Sequence, residues 1–333
     1  MQEPSIAATV AGPPPVAFSG SRLNWQDLPR PVRARIAQLA GAEVSSETSA
    51  TSGFSPGFAA VLELGNGSEV FVKAVSAEQN PHSPELARRE IVVAAALPAD
   101  VPAPRLLWSH DDGTWVILGF EAVDGRSPEQ PWRRDELDRV LAAVTDLAAA
   151  RPLAPTSLMS IASALADDFH GWRTIAAAPS SGRAQGAAQF GPRGDWVLAH
   201  LDELAQWESG WSAAAAGTAL IHGDLRADNV LLDTGRTWLV DWPHAALGAP
   251  WLDLAFMLPS VEMQGGGLAD DLFWAHPVAA GVAPHALRSV LAALAGHLVL
   301  SSHQAAPVGV PNLRRFQHAQ AAVSLDWLQR LPD

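Results

Sequence analysis

The chain reads as an α+β protein in which strands and helices are segregated along its length. Three observations predict this. Residues 58–64 and 69–75 carry apolar and polar side chains in alternation around a Gly65-Asn66-Gly67-Ser68 turn, the pattern of a half-buried hairpin. Residues 105–120 supply two more apolar runs, R-L-L-W-S and T-W-V-I-L-G-F, joined by His110-Asp111-Asp112-Gly113. From residue 134 onward apolar residues recur three and four apart over long stretches, as on the buried faces of helices.

Composition bounds what such a chain can be. Its 333 residues suit one large domain or two smaller ones, and 48% hydrophobic against 17% charged residues describes a globular chain with an ample core. The absence of cysteine excludes disulfides and thiolate metal sites. No run approaches the 18 apolar residues of a membrane span. Residues 1–19 lack the basic and apolar regions of a secretory signal, so a cytoplasmic location is the expectation. A net charge of −13 argues against nucleic acid as a partner and is compatible with a cationic small molecule. Thirteen Trp with no Tyr point to packing rather than to a function.

In chain order, residues 1–20 are rich in Ala, Pro and Ser and read as a disordered tail. Leu28, Val32, Ile36 and Leu39 space out a helix that Gly41 ends. Residues 45–57 read as a flexible segment leading into the strand at 58–64. The second strand contains Lys73, the only lysine beside twenty-one arginines. A compact ammonium retained in a strand suggests a place where a planar guanidinium will not fit. Ser83 and Pro84 open a helix that runs to about residue 97. Glu90 falls on its apolar stripe of Leu86, Val93, Ala94 and Leu97, and a carboxylate there needs a partner. Lys73 is the natural one; the alternative acid, Glu85, sits with Arg88 and Arg89 on the polar side. Further helices are expected over 134–150, 160–175, 195–207, 286–301 and 311–331, with 176–191 a small-residue loop. Glu262, Asp270 and Asp271 flank a triple glycine and read as solvated charge. The histidines at 276, 285, 297, 303 and 318 show no paired zinc spacing.

The most informative stretch runs from residue 220 to 253. It has an apolar lead-in, a polar loop from His222 to Asp228, and two short strands around the turn 233–236, the second ending on Asp241. With a three-residue loop at 234–236, Asn229 faces Asp241 across the pair, and directly opposed Cβ atoms lie roughly 4.5–5.5 Å apart. An amide oxygen and a carboxylate so placed can share a Mg²⁺, which takes one or two carboxylates plus phosphate oxygens. Asp224, five residues before Asn229, supplies a further carboxylate at the same spot. A base beside metal ligands is what phosphoryl transfer uses.

The segment H-G-D-L-R-A-D-N followed by V-D-W resembles the catalytic and metal-binding segments of the aminoglycoside phosphotransferase and choline kinase-like family. The loop is similar to that of protein kinases, although Asp241-Trp242-Pro243 departs from their Asp-Phe-Gly. The resemblance spans residues 50–330 approximately and implies a two-lobed protein-kinase-like fold. Its N-lobe, 21–121, would be a small antiparallel sheet with one packed helix, and its C-lobe, 122–333, mainly helical. It implies ATP as donor, Mg²⁺ as cofactor and a hydroxylated small molecule as acceptor. Asp224 would be the catalytic base, and Asn229 and Asp241 the metal ligands. Lys73, paired with Glu90, would bind the nucleotide's phosphates, and the carbonyl of Phe120 and the N–H of Ala122 its adenine. Gly53 and Gly57 are candidates for close backbone approach to phosphate, although they match neither G-x-G-x-x-G nor a P-loop. His222 either braces the loop or takes part at the site, Arg226 meets a phosphate, pairs with Asp224 or is merely solvated, and Asp253 caps or anchors the helix around Leu254 to Val261. The alternative to a small-molecule kinase is a catalytically weak, nucleotide-binding regulatory pseudokinase. Nothing in the sequence identifies the acceptor or sets an oligomeric state.

Overall fold

The structure, a computed structural model, describes residues 15, 17, 22–50, 53–150 and 158–332. Apart from residues 15 and 17, the tail expected over 1–20 lies outside them. Strands β1 (Val44–Ser49), β2 (Phe58–Leu64), β3 (Glu69–Ser76), β4 (Leu106–Asp111) and β5 (Trp115–Glu121) form an antiparallel sheet in the order β1-β2-β3-β5-β4. β1 corrects the flexible reading of residue 45 onward: it pairs Ser49 with Ala60 and Thr48 with Val61. An edge strand of Ser, Thr and Glu shows no apolar alternation, so its pairing is invisible until β2 is in place.

Period-two geometry gives the sheet its two faces. Val70, Val72 and Ala74 of β3 join Phe58, Leu62 and Ile117 against Val32 and Ile36 of helix α1 (Arg30–Ala40), which ends at Gly41 with φ 75°. The other face carries Phe71 and Val75, with Val116, Leu118 and Phe120, against Ala87 of helix α2 (Ser83–Ala96). Lys73 shares the parity of Phe71 and Val75 and therefore faces α2. The buried stripe of α2 is Pro84, Ala87, Glu90 and Val93, one residue off the expected one at its start. The two ends of the stripe differ: Val93 packs into the core of the helical half.

The C-terminal lobe is mainly helical. Helix α3 (Arg134–Ala149) is followed by short helices, then α4 (Leu252–Met263), α5 (Pro284–Ser302) and α6 (Leu313–Arg330). The stretches expected as single helices are broken, into Ile161–Ala164 and Gly171–Ala177, and into Pro192–Ala199 and Leu201–Ser209. At the first of these breaks, Gly171 lies so close to α5 that an added Cβ would stand 2.1 Å from the carbonyl oxygen of Gly296. The expected loop over 176–191 holds the helix Ser180–Ala188; its alanines have the highest helix propensity and outweigh two glycines. The α4 helix is buried from Leu252 through Val261 and forms the centre of the lobe, with Trp172, Phe273 and Trp327 also buried. Several tryptophans are thus packing residues. Strands β6 (Ala219–Ile221), β7 (Val230–Leu232), β8 (Thr237–Leu239) and β9 (Ala246–Gly248) form two ribbons, β6 with β9 and β7 with β8. Among the described residues no helix is long and apolar enough to cross a membrane.

Candidate active site

The sheet and the helical lobe meet at Lys73. Its Nζ donates to both carboxylate oxygens of Glu90, at 2.7 and 2.9 Å, and to Oδ1 of Asp241 at 2.7 Å. Burial acts to lower the ammonium's pKa, but the two carboxylates outweigh it and hold the pKa above the ordinary lysine value. Glu90, with 5% of its side chain exposed, is pushed up by burial despite Lys73. Asp241, at 39%, is pushed up by burial less than Lys73 draws it down, and its carboxyl sits at about 2. The Phe120 ring lies 5.9 Å from Nζ.

The loop after β6 is braced from below. Asp253, buried in the first turn of α4, accepts from the backbone N–H of His222 and of Gly223, each at 2.8 Å. It therefore holds the loop rather than capping its own helix, whose N-cap is Trp251. Burial pushes the Asp253 carboxyl up to about 7. Gly223 has φ 81°, and an added Cβ would stand 2.5 Å from the carbonyl oxygen of His244, so only glycine fits. His222 is fully buried; its Nε2 lies 3.0 Å from the carbonyl oxygen of Val240, and its Nδ1 accepts from the N–H of Asp224 at 3.3 Å. These partners specify the neutral tautomer protonated on Nε2, and burial lowers the pKa to about 4. His222 thus ties the Asp224 loop to the strand leading into Asp241.

The Asp224 carboxylate pairs with Arg226 and accepts from Nδ2 of Asn229 at 3.2 Å, while the same Nδ2 donates to the Asp224 carbonyl at 2.7 Å. Burial pushes the Asp224 carboxyl above its ordinary value, with Arg226 acting against it. Arg226 also grips both oxygens of Asp228, at 3.0 and 2.9 Å.

The hairpin register is one residue from that expected. Leu232 pairs with Thr237 and Val230 with Leu239, and Val240 donates to the carbonyl of Asn229 at 3.0 Å. Asn229 therefore lies opposite Val240, not Asp241. The reason is Asp233, whose Oδ1 takes the N–H groups of Gly235 and Arg236 and makes the turn four residues long. Asp241 has left the strand, with φ 70°, a conformation that costs a non-glycine residue on the order of 1 kcal/mol. The tertiary contact with Lys73 accompanies that turn. Among the described residues no group of three His, Asp or Glu could hold a metal. Asp241 and the Asn229 amide, whose Nδ2 is turned to Asp224, each offer an oxygen of the kind a hard cation takes beside a ligand's oxygens.

The remaining candidates divide. Gly53 has φ 93°, and its N–H donates to the carbonyl of Ala17 at 2.9 Å. A Cβ on Gly57 would stand 2.7 Å from both the Ala74 carbonyl oxygen and Val75 Cγ1, so packing against β3 requires glycine there. Phe120 is buried in β5 and Ala122 follows that strand, half-buried. Two of the three acids expected as solvated charge are paired instead: Glu262 pairs with Arg330 at 2.8 Å, and Asp270 accepts from the indoles of Trp274 and Trp327; Asp271 is exposed. Phe54 and Phe316, which flank Arg226 at 5.6 and 5.9 Å, are site neighbours that no motif indicated.

A family model described as "phosphotransferase enzyme family" matches residues 51–307, well over half of the chain. The chain belongs to the phosphotransferase enzyme family. Solved structures agree on the fold. One is a thermostable mutant of the aminoglycoside phosphotransferase APH(4)-Ia in a ternary complex with ADP and hygromycin B, 18% identical, covering 90% of this chain and 98% of that one at a TM-score of 0.57. Another is a choline/ethanolamine kinase family protein from Mesorhizobium loti, 16% identical, covering 90% and 93% at a TM-score of 0.51. No curated protein matches in sequence. The two-lobed, kinase-like architecture expected of this phosphotransferase-family chain is therefore its fold.

Proposed function

We propose that this protein transfers the γ-phosphate of ATP to a hydroxyl of a small molecule. The observation that carries the reading is the convergence of Lys73, Glu90 and Asp241 at one side of the lobe junction with Asp224 and Asn229 on the adjoining loop. The lobe boundary would fall at 121/122. The nucleotide would lie there, its adenine on the Phe120 carbonyl and Ala122 N–H, its phosphates under the Gly53–Gly57 loop. Lys73, oriented by Glu90, would bind the α- and β-phosphates. Asp241 and the amide oxygen of Asn229 would hold Mg²⁺, which neutralises phosphate charge when bound.

Asp224 would orient the acceptor hydroxyl and take its proton as the oxygen bonds to the γ-phosphorus. The bond from that phosphorus to the bridging oxygen breaks, and ADP leaves with the electron pair. A carboxylate with a raised pKa is the stronger base, and positioning with charge stabilisation does most of the work. The relative with hygromycin B in its complex makes hydroxylated antibiotics a reasonable first acceptor class, and the net charge of −13 favours cationic ones. A cytoplasmic setting, where ATP is supplied, suits this reading.

The test is ATP consumption across a panel of hydroxylated compounds, with the mass of each product measured. Asp224→Ala has to lower turnover by ~10²–10⁴-fold, the range for a positioned base, with nucleotide binding retained. Nucleotide binding without transfer to any acceptor supports the pseudokinase alternative instead.

A further inference from the structure

Arg226 is buried to 14% side-chain exposure in the loop that carries Asp224, and its charge faces two carboxylates. Its guanidinium has a second set of neighbours. The Phe54 ring, from the loop that precedes β2, lies 5.6 Å from Cζ, and the Phe316 ring, from α6, lies 5.9 Å away. The two rings meet edge to face with centroids 5.4 Å apart. A planar cation against aromatic faces is a favourable contact that an ammonium reproduces poorly.

The segment leading into α6 reinforces the same junction. Nδ2 of Asn80 donates to the Val308 carbonyl at 2.9 Å. Gly309, at φ +76°, lies so close to the covering loop that an added Cβ would stand 2.7 Å from Pro56 and 2.8 Å from the Gln79 carbonyl oxygen. The covering loop, the Asp224 loop and the last helix therefore meet at one side chain.

We infer that Arg226 is a positioning residue that couples seating of the 53–57 loop to alignment of the Asp224 carboxylate, with Phe54 and Phe316 as its latch. Its charge fixes Asp224 and Asp228; its plane holds the covering loop through Phe54. This rests on the phosphotransfer reading for the role of Asp224, but the latch itself is a property of the chain alone.

Two measurements on the full chain test it. The first is amide hydrogen exchange without nucleotide, in the unaltered protein and in Arg226→Gln, Arg226→Lys and Phe54→Ala. Exchange over 53–58 has to rise tenfold or more in all three, on the order of a local opening made freer by one contact, while β3 and β5 stay protected. Phe54 is half-buried, so Phe54→Ala remains informative if an Arg226 variant fails to fold. Unchanged exchange over 53–58 overturns the inference. The second is kcat read beside the KM for the acceptor. Arg226→Gln removes the charge that holds the Asp224 carboxylate in place, so kcat falls about tenfold or more beyond any change in KM. Arg226→Lys restores kcat while leaving the loop exchange raised. An unchanged kcat in Arg226→Gln, or a Lys variant that behaves as Gln on both readouts, overturns the coupling. Absence of transfer by the unaltered chain counts against phosphotransfer alone, since the exchange measurement decides the latch without it.

Discussion

The solitary lysine makes the centre of the site chemically addressable. Amine reagents can acylate only Lys73 and the chain's α-amino group, and the latter serves as an internal standard. Acylation requires the neutral amine. Lys73 Nζ donates to three carboxylate oxygens at 2.7–2.9 Å, and its pKa is raised above the ordinary 10.5. Glu90→Gln keeps the size and removes one negative charge. A hydrogen bond to a charged group is worth ~1.5–3 kcal/mol net, and ~1.4 kcal/mol is one pH unit. The substitution should therefore lower the lysine pKa by roughly one to two pH units and increase the neutral fraction about 10–100-fold at fixed pH. Labelling is followed by peptide mass spectrometry at pH 8 to 9, with Asp241→Asn as a second variant expected to act in the same direction. Because both variants are isosteric, reagent access stays nearly constant and the rate ratio reports the charge cage. Lys73 labelled at the rate of an exposed lysine, with no acceleration in either variant, refutes the reasoning.

His222 should make stability fall in acid. Its pKa is depressed from 6.5 to about 4, so its contribution is complete above pH 6.5 and is lost as pH falls toward 4. At ~1.4 kcal/mol per pH unit the depression amounts to roughly 3 kcal/mol. Asp253, raised from 3.8 to about 7, has the opposite sign: its contribution is complete below pH 3.8 and lost as pH rises toward 7. The difference in urea unfolding free energy between the unaltered chain and His222→Gln, followed from pH 7 to 4.5, isolates the histidine; a pH-independent difference contradicts its neutral, bracing state. Gly57→Ala places a methyl 2.7 Å from the Ala74 carbonyl and should destabilise by about 1–3 kcal/mol, which a denaturation midpoint matching the parent's contradicts. Asp253→Ala strips two backbone N–H groups of their acceptor, at ~1–3 kcal/mol for each buried donor left unsatisfied. It should also lower transfer by loosening the Asp224 loop, and unchanged stability and turnover would refute the brace.

The grouping of the candidate site's residues was partly legible in the chain because several of them fall at short spacings. Asp224 and Asn229 are five apart on one loop, and no remote residue is needed to bring them together. Lys73 was singled out by composition, and the Glu90 partner by a carboxylate on an apolar stripe; strand parity and helix periodicity put each on the face from which the 2.7 Å contact is made. The strands β2 and β3 were delimited by alternation and turn residues for the same reason.

What the sequence could not settle is where non-local contacts decide. The polar edge strand β1 exists because β2 offers it a ladder. The hairpin register depends on the Asp233 side chain closing a four-residue turn, and one residue of slip moves Asn229 from Asp241 to Val240. Asp241 takes a left-handed φ that few non-glycine residues adopt, beside an ammonium 168 residues away in the chain. The bracing of His222 by Asp253 and the meeting of Phe54, Arg226 and Phe316 join segments far apart in sequence. Spacing determines which groups share a loop or a face; only the packed core determines which loops and faces meet, because burial and charge pairing act through space rather than along the chain.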